Sequence, residues 1–161
     1  MLAHLIATFG FTGHLRPASG TWGSAAALPV AYVIAHFGGP VALAVSTLAA
    51  YLIGIWATAE VTRDMKEKDP SIVVIDEVAG QWLALWPVVI GAAHAGVPLH
   101  ALWPGWLAAF VLFRLFDIWK PWPVNIFDRM KSPFGVMTDD LVAGVYAAIG
   151  VMIGAGIAHG V

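Results

Sequence analysis

Cysteine is absent from the 161 residues, which removes disulfides and thiolate metal sites and leaves the redox compartment unmarked. Charge is scarce as well: Asp, Glu, Lys and Arg make up 11% of the chain, against roughly 25% in an average soluble domain. No basic tract offers itself to nucleic acid, and a net charge of -2 selects no partner. No Lys or Arg precedes Arg16, so the beginning does not read as a cleavable signal peptide. Hydrophobic residues, by contrast, reach 60%, and the mean hydropathy is +0.80. A soluble helical protein with that composition would lack the polar surface water requires.

The few charges are confined. Residues 17–59, 78–113 and 141–161 carry no Asp, Glu, Lys or Arg. A helix needs about 20 apolar residues to cross the hydrocarbon, and five hydrophobic units are expected: 24–37, 41–63, 77–95, 101–118 and 140–158. The first is short and contains Pro29, so a re-entrant course is allowed for it. Pro87 and Pro104 interrupt the third and fourth, which membrane helices accommodate when neighbours satisfy the freed carbonyls. The expected fold is therefore an all-α integral membrane protein, a compact bundle of about five membrane helices in one domain, 1–161. All charged segments then fall on one side, in 1–23, 64–76 and 119–139, and that side is cytoplasmic by the positive-inside rule. Trp86, Trp103, Trp106, Trp119 and Trp122 stand near proposed ends or kinks, as interfacial anchors do.

Three acidic clusters lie at unit ends: Asp76-Glu77, Asp117, and Asp139-Asp140 after Thr138. Bundling would bring them to one level. Five carboxylates together repel each other and any anionic substrate, and a hard divalent cation such as Mg²⁺ relieves both problems through oxygen ligands. Simpler roles also fit each cluster. Asp76 and Thr138 suit N-caps, and Asp117 suits an i,i+3 pair with Arg114. Glu60 reads equally as a solvated end residue or a further ligand, and Asp64 to Asp69 as a solvated charge run. His36, His94, His100 and His159 map to the opposite side. Gly80 and Gly144 follow Asp76 and Asp140 by four residues, which permits close backbone approach on the same faces.

Lys120, set in Trp119-Lys120-Pro121-Trp122-Pro123, can hold a phosphate or snorkel to the interface, and Arg114 offers a second cation. Arg129 and Lys131 suit anionic lipid. The loop Ser19-Gly20-Thr21-Trp22-Gly23-Ser24 precedes the first unit, where amides and the hydroxyls of Thr21 and Ser24 can meet a phosphate, or simply cap the helix.

With these pieces in view the chain resembles the phosphatidylglycerophosphatase A family. The resemblance rests on Gly20-Thr21-Trp22-Gly23-Ser24, Asp76-Glu77 with Gly80, the block from Phe113 to Pro123, and Gly135 to Gly144. It extends over roughly residues 7 to 148. It implies a Mg²⁺-dependent, multi-pass phosphatase of the bacterial inner membrane, acting on the phospholipid phosphatidylglycerophosphate from the cytoplasmic side. It carries Asp76, Glu77, Asp117, Asp139 and Asp140 over as metal and catalytic candidates, and Thr21, Ser24, Arg114 and Lys120 as substrate contacts. The sequence departs at Arg16-Pro17-Ala18-Ser19, where the family commonly has a second proline before the glycine. Two rivals remain. A histidine-nucleophile lipid phosphatase lacks its histidines here. A cation-coupled transporter would place ionisable groups near the midplane rather than at the ends of spans.

Overall fold

The computed structural model describes residues 1–66 and 70–160. Its described residues form seven α-helices and no strand: α1 Leu2–Ala7, α2 Ser19–Thr62, α3 Ile75–Ala84, α4 Trp86–Ala95, α5 Trp103–Trp119, α6 Val124–Asp128 and α7 Pro133–His159. Proline sets several starts, where a missing N–H costs nothing. Pro87, Pro104 and Pro133 all stand in first turns. Pro104 therefore opens α5 rather than interrupting the fourth unit, and Pro87 opens α4 directly beyond Leu85, whose backbone is still helical. Gly96 and Gly160 end their helices in the left-handed conformation.

Helix α2 has 44 residues, about 65 Å if it were straight, twice the thickness of a bilayer core. It is broken at Gly39, whose φ of 67° and ψ of −165° lie outside helical space. Contacts on either side of the break show that the chain doubles back. Gly20 lies against Glu77, and the Ala27 carbonyl accepts from Trp82 Nε1 at 2.9 Å. Beyond the break, Thr47 Oγ1 accepts from Trp86 Nε1 at 3.2 Å, and Gly54 lies against Ile75 and Met137. The first arm thus runs with α3 and the second against it. These arms are the expected units 24–37 and 41–63.

Four stretches are long and apolar enough to cross a membrane: Ser19–Thr62, Ile75–Ala95, Leu99–Trp119 and Pro133–Ala158. Burial sorts them. The apolar window in Ile75–Ala95 is 56% buried, while those of the other three are 17–28% buried, so α3–α4 is the central column and the rest surround it. Small residues make that packing close. The first arm buries Ser19, Gly23, Ala27, Ala31 and Ala35, one every fourth position and hence on one face. Large side chains such as Val45, Leu52, Val111 and Ile153 point outward, an arrangement suited to lipid rather than water. Trp103, Trp119 and Trp122 are exposed, as anchors should be. Trp86 and Trp106 instead pack against the core and donate to Thr47 and to the Leu99 carbonyl.

Helix α7 differs from its expected start. It opens at Pro133, with Ser132 Oγ accepting from the Gly135 amide at 3.1 Å as the cap. Thr138 is no cap; it lies inside the helix and donates to the Phe134 carbonyl. Asp139 and Asp140 consequently sit in the second turn and are buried. The N-terminal segment was not anticipated as structure. Helix α1 and a 3₁₀ turn at Thr12–His14 lie over the link between α2 and α3, where Val74 donates to the Ala7 carbonyl at 2.9 Å and Gly13 abuts the Ile72 carbonyl. Of the expected charge run, Glu67, Lys68 and Asp69 fall outside the described residues.

Candidate active site

A cleft of about 410 Å³ opens where α2 and α3 begin and α5 ends. Asp76, Glu77, Asp117, Asp139, Asp140, Arg114 and Lys120 all line it, joined by Arg16, Ser19, Gly20 and Ser71. The three acidic clusters, separated by up to 64 positions in the chain, thus share one wall.

Backbone contact between α3 and α7 brings two of them together. A methyl on Gly144 would collide with the Gly80 carbonyl, and one on Gly80 would lie 2.5 Å from the Asp140 carbonyl and 2.5 Å from the Phe113 ring. Only glycine permits that approach, and it sets Asp140 beside Asp76 and Glu77. One carboxylate oxygen from each of these three lies within 4.8 Å of the others. Asp76 and Asp140 are buried. Glu77 Oε2 is buried without a hydrogen-bond partner, which is costly for a polar atom unless a ligand meets it. An all-oxygen, carboxylate-rich set with an unmet donor atom fits a hard cation such as Mg²⁺.

The remaining two candidate acids hold bases. Asp117 Oδ2 lies 2.5 Å from Arg114 Nη1, the i,i+3 pair that was its simpler role, and Glu77 Oε1 lies 4.0 Å from the same nitrogen. Asp139 Oδ2 accepts from Lys120 Nζ at 2.8 Å, and Asp128 Oδ1 accepts from it at 2.5 Å. Lys120 ends α5 in the left-handed conformation, with φ 48° and ψ 58°, a strain of about 1–2 kcal/mol for a residue with a Cβ. From that position its side chain lines the cleft. Burial disfavours its ammonium, but Asp128 and Asp139 outweigh burial and raise its pKa above the ordinary lysine value. It therefore carries its charge throughout the neutral range.

The expected glycine loop is helix. Ser19 begins α2, and Gly20 is set so closely that a methyl there would strike Glu77 Oε1 and lie 3.1 Å from Arg114 Nη1. Ser24, one turn on, is buried; its Oγ donates to the Gly20 carbonyl at 2.8 Å and accepts from Arg114 Nη1 at 3.4 Å. It stands behind the arginine rather than in the cleft. Thr21 is half-buried and does not line the cleft. Glu60 pairs with Arg63 and is likewise outside it. His36 and His100 line a separate cavity of about 340 Å³ near Gly39, at the far end of the bundle.

Three further residues take part. Asp128, read only as part of a charged segment, anchors Lys120 across α6, and nothing in its spacing signals that. Arg16 and Ser71 come to the cleft rim because the N-terminal segment folds over the α2–α3 link. The sequence signal for Arg16 was its place beside the Ser19-Gly20 segment.

The family model for phosphatidylglycerophosphatase A matches residues 5–155. A protein of Haemophilus influenzae named phosphatidylglycerophosphatase A is 36% identical over 147 residues, covering 91% of this chain and 84% of its own. The Escherichia coli protein of that name is 36% identical, covering 90% and 78%. A Bacteroides thetaiotaomicron protein, whose name assigns it provisionally to phosphatidylinositol-3-phosphatase activity, is 37% identical, covering 87% and 86%. No solved structure matches the chain significantly.

Proposed function

The chain belongs to the phosphatidylglycerophosphatase A family, an enzyme family of lipid phosphatases, and on that premise we propose that it hydrolyses the terminal phosphomonoester of phosphatidylglycerophosphate, giving phosphatidylglycerol and phosphate. The carrying observation is the cleft in which Asp76, Glu77 and Asp140 converge beside Arg114 and Lys120. Among the described residues its lining holds five carboxylates against three cations. One divalent ion balances that excess of ordinarily ionised groups, where unbalanced buried charge would be expensive.

Asp76, Glu77 and Asp140 would hold Mg²⁺, which when bound neutralises phosphate charge and polarises its oxygens. The chain's own groups do the rest. Arg114, its plane fixed by Asp117 and backed by Ser24, donates to non-bridging phosphate oxygens. Lys120, held over the cleft by Asp128 and Asp139, contributes a second fixed positive charge where negative charge gathers in the transition state. Amides at the start of α2, free of helical partners, supply further donors around Gly20. Water attacks phosphorus in line with the glycerol oxygen and gives its proton to a carboxylate of the cluster. The phosphorus–oxygen bond to glycerol breaks, and the carboxylate passes that proton to the released oxygen, regenerating itself.

We place the cleft at the cytoplasmic face of a bacterial inner membrane, with both arms of α2 crossing. Exposed Arg63, Lys66, Arg129 and Lys131 at the cleft end support that orientation. The transporter reading is not favoured, because the acids gather at one end of the helices instead of along a path between them.

Phosphate release by purified protein tests the proposal. Release from phosphatidylglycerophosphate is expected to require Mg²⁺, to stop on chelation, and to fall on the order of a hundredfold in a folded Asp117→Asn variant, as when a fixed electrostatic group is lost. Release that survives complete chelation would refute the metal role. Faster release from phosphatidylinositol 3-phosphate would reassign the substrate in the direction of the Bacteroides relative's name.

A further inference from the structure

Three cations among the described residues line the cleft, and they are not equivalent. Arg114 is committed to Asp117 and Glu77, and Lys120 to Asp128 and Asp139. Arg16 has no carboxylate partner among the described residues. Its Nη1 donates to a neutral acceptor, Ser71 Oγ, at 3.4 Å. Arg16 and Ser71 are both exposed at the rim, while the acids lie buried or half-buried within.

The rim is nevertheless a fixed place. Ser19 Oγ donates to the Ser71 carbonyl at 2.5 Å, Val74 donates to the Ala7 carbonyl, and the Gly13 backbone is packed on the Ile72 carbonyl. These ties hold the segment bearing Arg16 onto the α2–α3 link from three sides. The guanidinium is thus presented at the mouth, its charge unmatched by any carboxylate of the described residues.

A lipid whose headgroup ends in a phosphomonoester, and is joined to its glycerol backbone by a phosphodiester, brings two anions to this cleft. The monoester must reach the carboxylate cluster for hydrolysis. The diester then lies nearer the acyl chains and hence nearer the mouth. Ile118, exposed on the cleft lining, and the neighbouring exposed Trp119 give those chains an apolar exit. We propose that Arg16, assisted by Ser71, binds the phosphodiester and is the residue that selects two-phosphate lipids over lipids carrying a monoester alone. Its planar fork suits two oxygens of one phosphate, and the Ser71 hydroxyl offers a further donor. The inference rests on the lipid-phosphatase reading and names the specificity determinant of that site.

The experiment compares full-length protein and Arg16→Gln in detergent mixed micelles, with phosphatidylglycerophosphate and phosphatidate of matched acyl chains as substrates. The variant is expected to raise KM for phosphatidylglycerophosphate about tenfold, the scale of one charge-assisted hydrogen-bonded contact. Its kcat should change by less than about twofold, because the diester takes no part in the chemical step. The effect on phosphatidate, which has no diester phosphate, should stay below about twofold, and Arg16→Lys should recover part of the selectivity. Equal losses on both lipids, or a loss confined to kcat, would overturn the assignment while leaving the phosphatase reading intact. A wild-type protein that hydrolyses neither lipid would overturn that reading and this inference together.

Discussion

Asp128 shows how a side chain distant from the metal-site candidates can matter to them. Lys120 is held in a left-handed backbone and between two carboxylates, only one of which, Asp139, belongs to the acidic wall. Without Asp128 the ammonium would collapse onto Asp139 and leave the phosphate's approach. Asp128→Asn is accordingly expected to lower kcat/KM about tenfold, the worth of one charge-assisted hydrogen bond, and Asp128→Glu to restore part of it. Steady-state kinetics with unchanged far-ultraviolet circular dichroism would check this, and wild-type kcat/KM in the asparagine variant would remove Asp128 from the site. The simpler role that spacing allows Asp117, an i,i+3 pair with Arg114, is present. That the same nitrogen also faces Glu77 and Ser24 depends on helices that the local pattern does not relate.

Among the elements, the α3–α7 contact decides the acidic geometry. Gly80 and Gly144 were legible as small residues one turn from acids, and the expected close approach is realised backbone against backbone. Gly144→Ala is expected to force the helices apart, destabilising the protein by about 1–3 kcal/mol as overpacking does and lowering activity by misplacing Asp140. Gly154→Ala, on the same helix with nothing within 4 Å of the added methyl, should leave both unchanged. Thermal unfolding in detergent and phosphate release would measure the pair; equal behaviour of the two variants would mean the contact is not critical. The start of α7 was misjudged for a local reason. Pro133 and the Ser132 cap lie in a stretch with charged neighbours, and hydropathy alone begins the span only after the acids.

For the molecule as a whole, the break at Gly39 carries the topology. A single 44-residue stretch without charge from its start to Glu60 can be a tilted span with an overhang, a re-entrant loop or a hairpin. Contacts of Gly20 with Glu77 and of Gly54 with Ile75 bring both arms of α2 alongside the start of α3. The absence of native cysteine makes the crossing testable. Phe37→Cys and Met65→Cys, both at exposed positions, are expected to react with an impermeant maleimide from opposite sides of sealed vesicles. Labelling of both from one side would make the first arm re-entrant, and labelling of Met65→Cys from outside would reverse the orientation.

Composition and the confinement of charge were enough to indicate a helical chain with spans apolar enough for a membrane and its Asp, Glu, Lys and Arg residues gathered toward one end, because hydropathy and charge are properties of the residues themselves. The motif residues were enough to identify the family and to nominate the five acids and two bases. How those seven divide their work was not local information. Asp76, Glu77 and Asp140 converge closely enough that they could hold a metal ion, while Asp117 and Asp139 lie against Arg114 and Lys120. That division arises only when α3, α5 and α7 are packed to contact distance. Thr21 and Ser24 were displaced for the same kind of reason: the loop that was to present them is already helix, and its helical turn points Ser24 behind Arg114. Arg16 and Asp128 reached the site through folds of the chain over α3 and beneath α7, where proximity is created by packing between segments far apart in sequence and leaves no periodic trace in either.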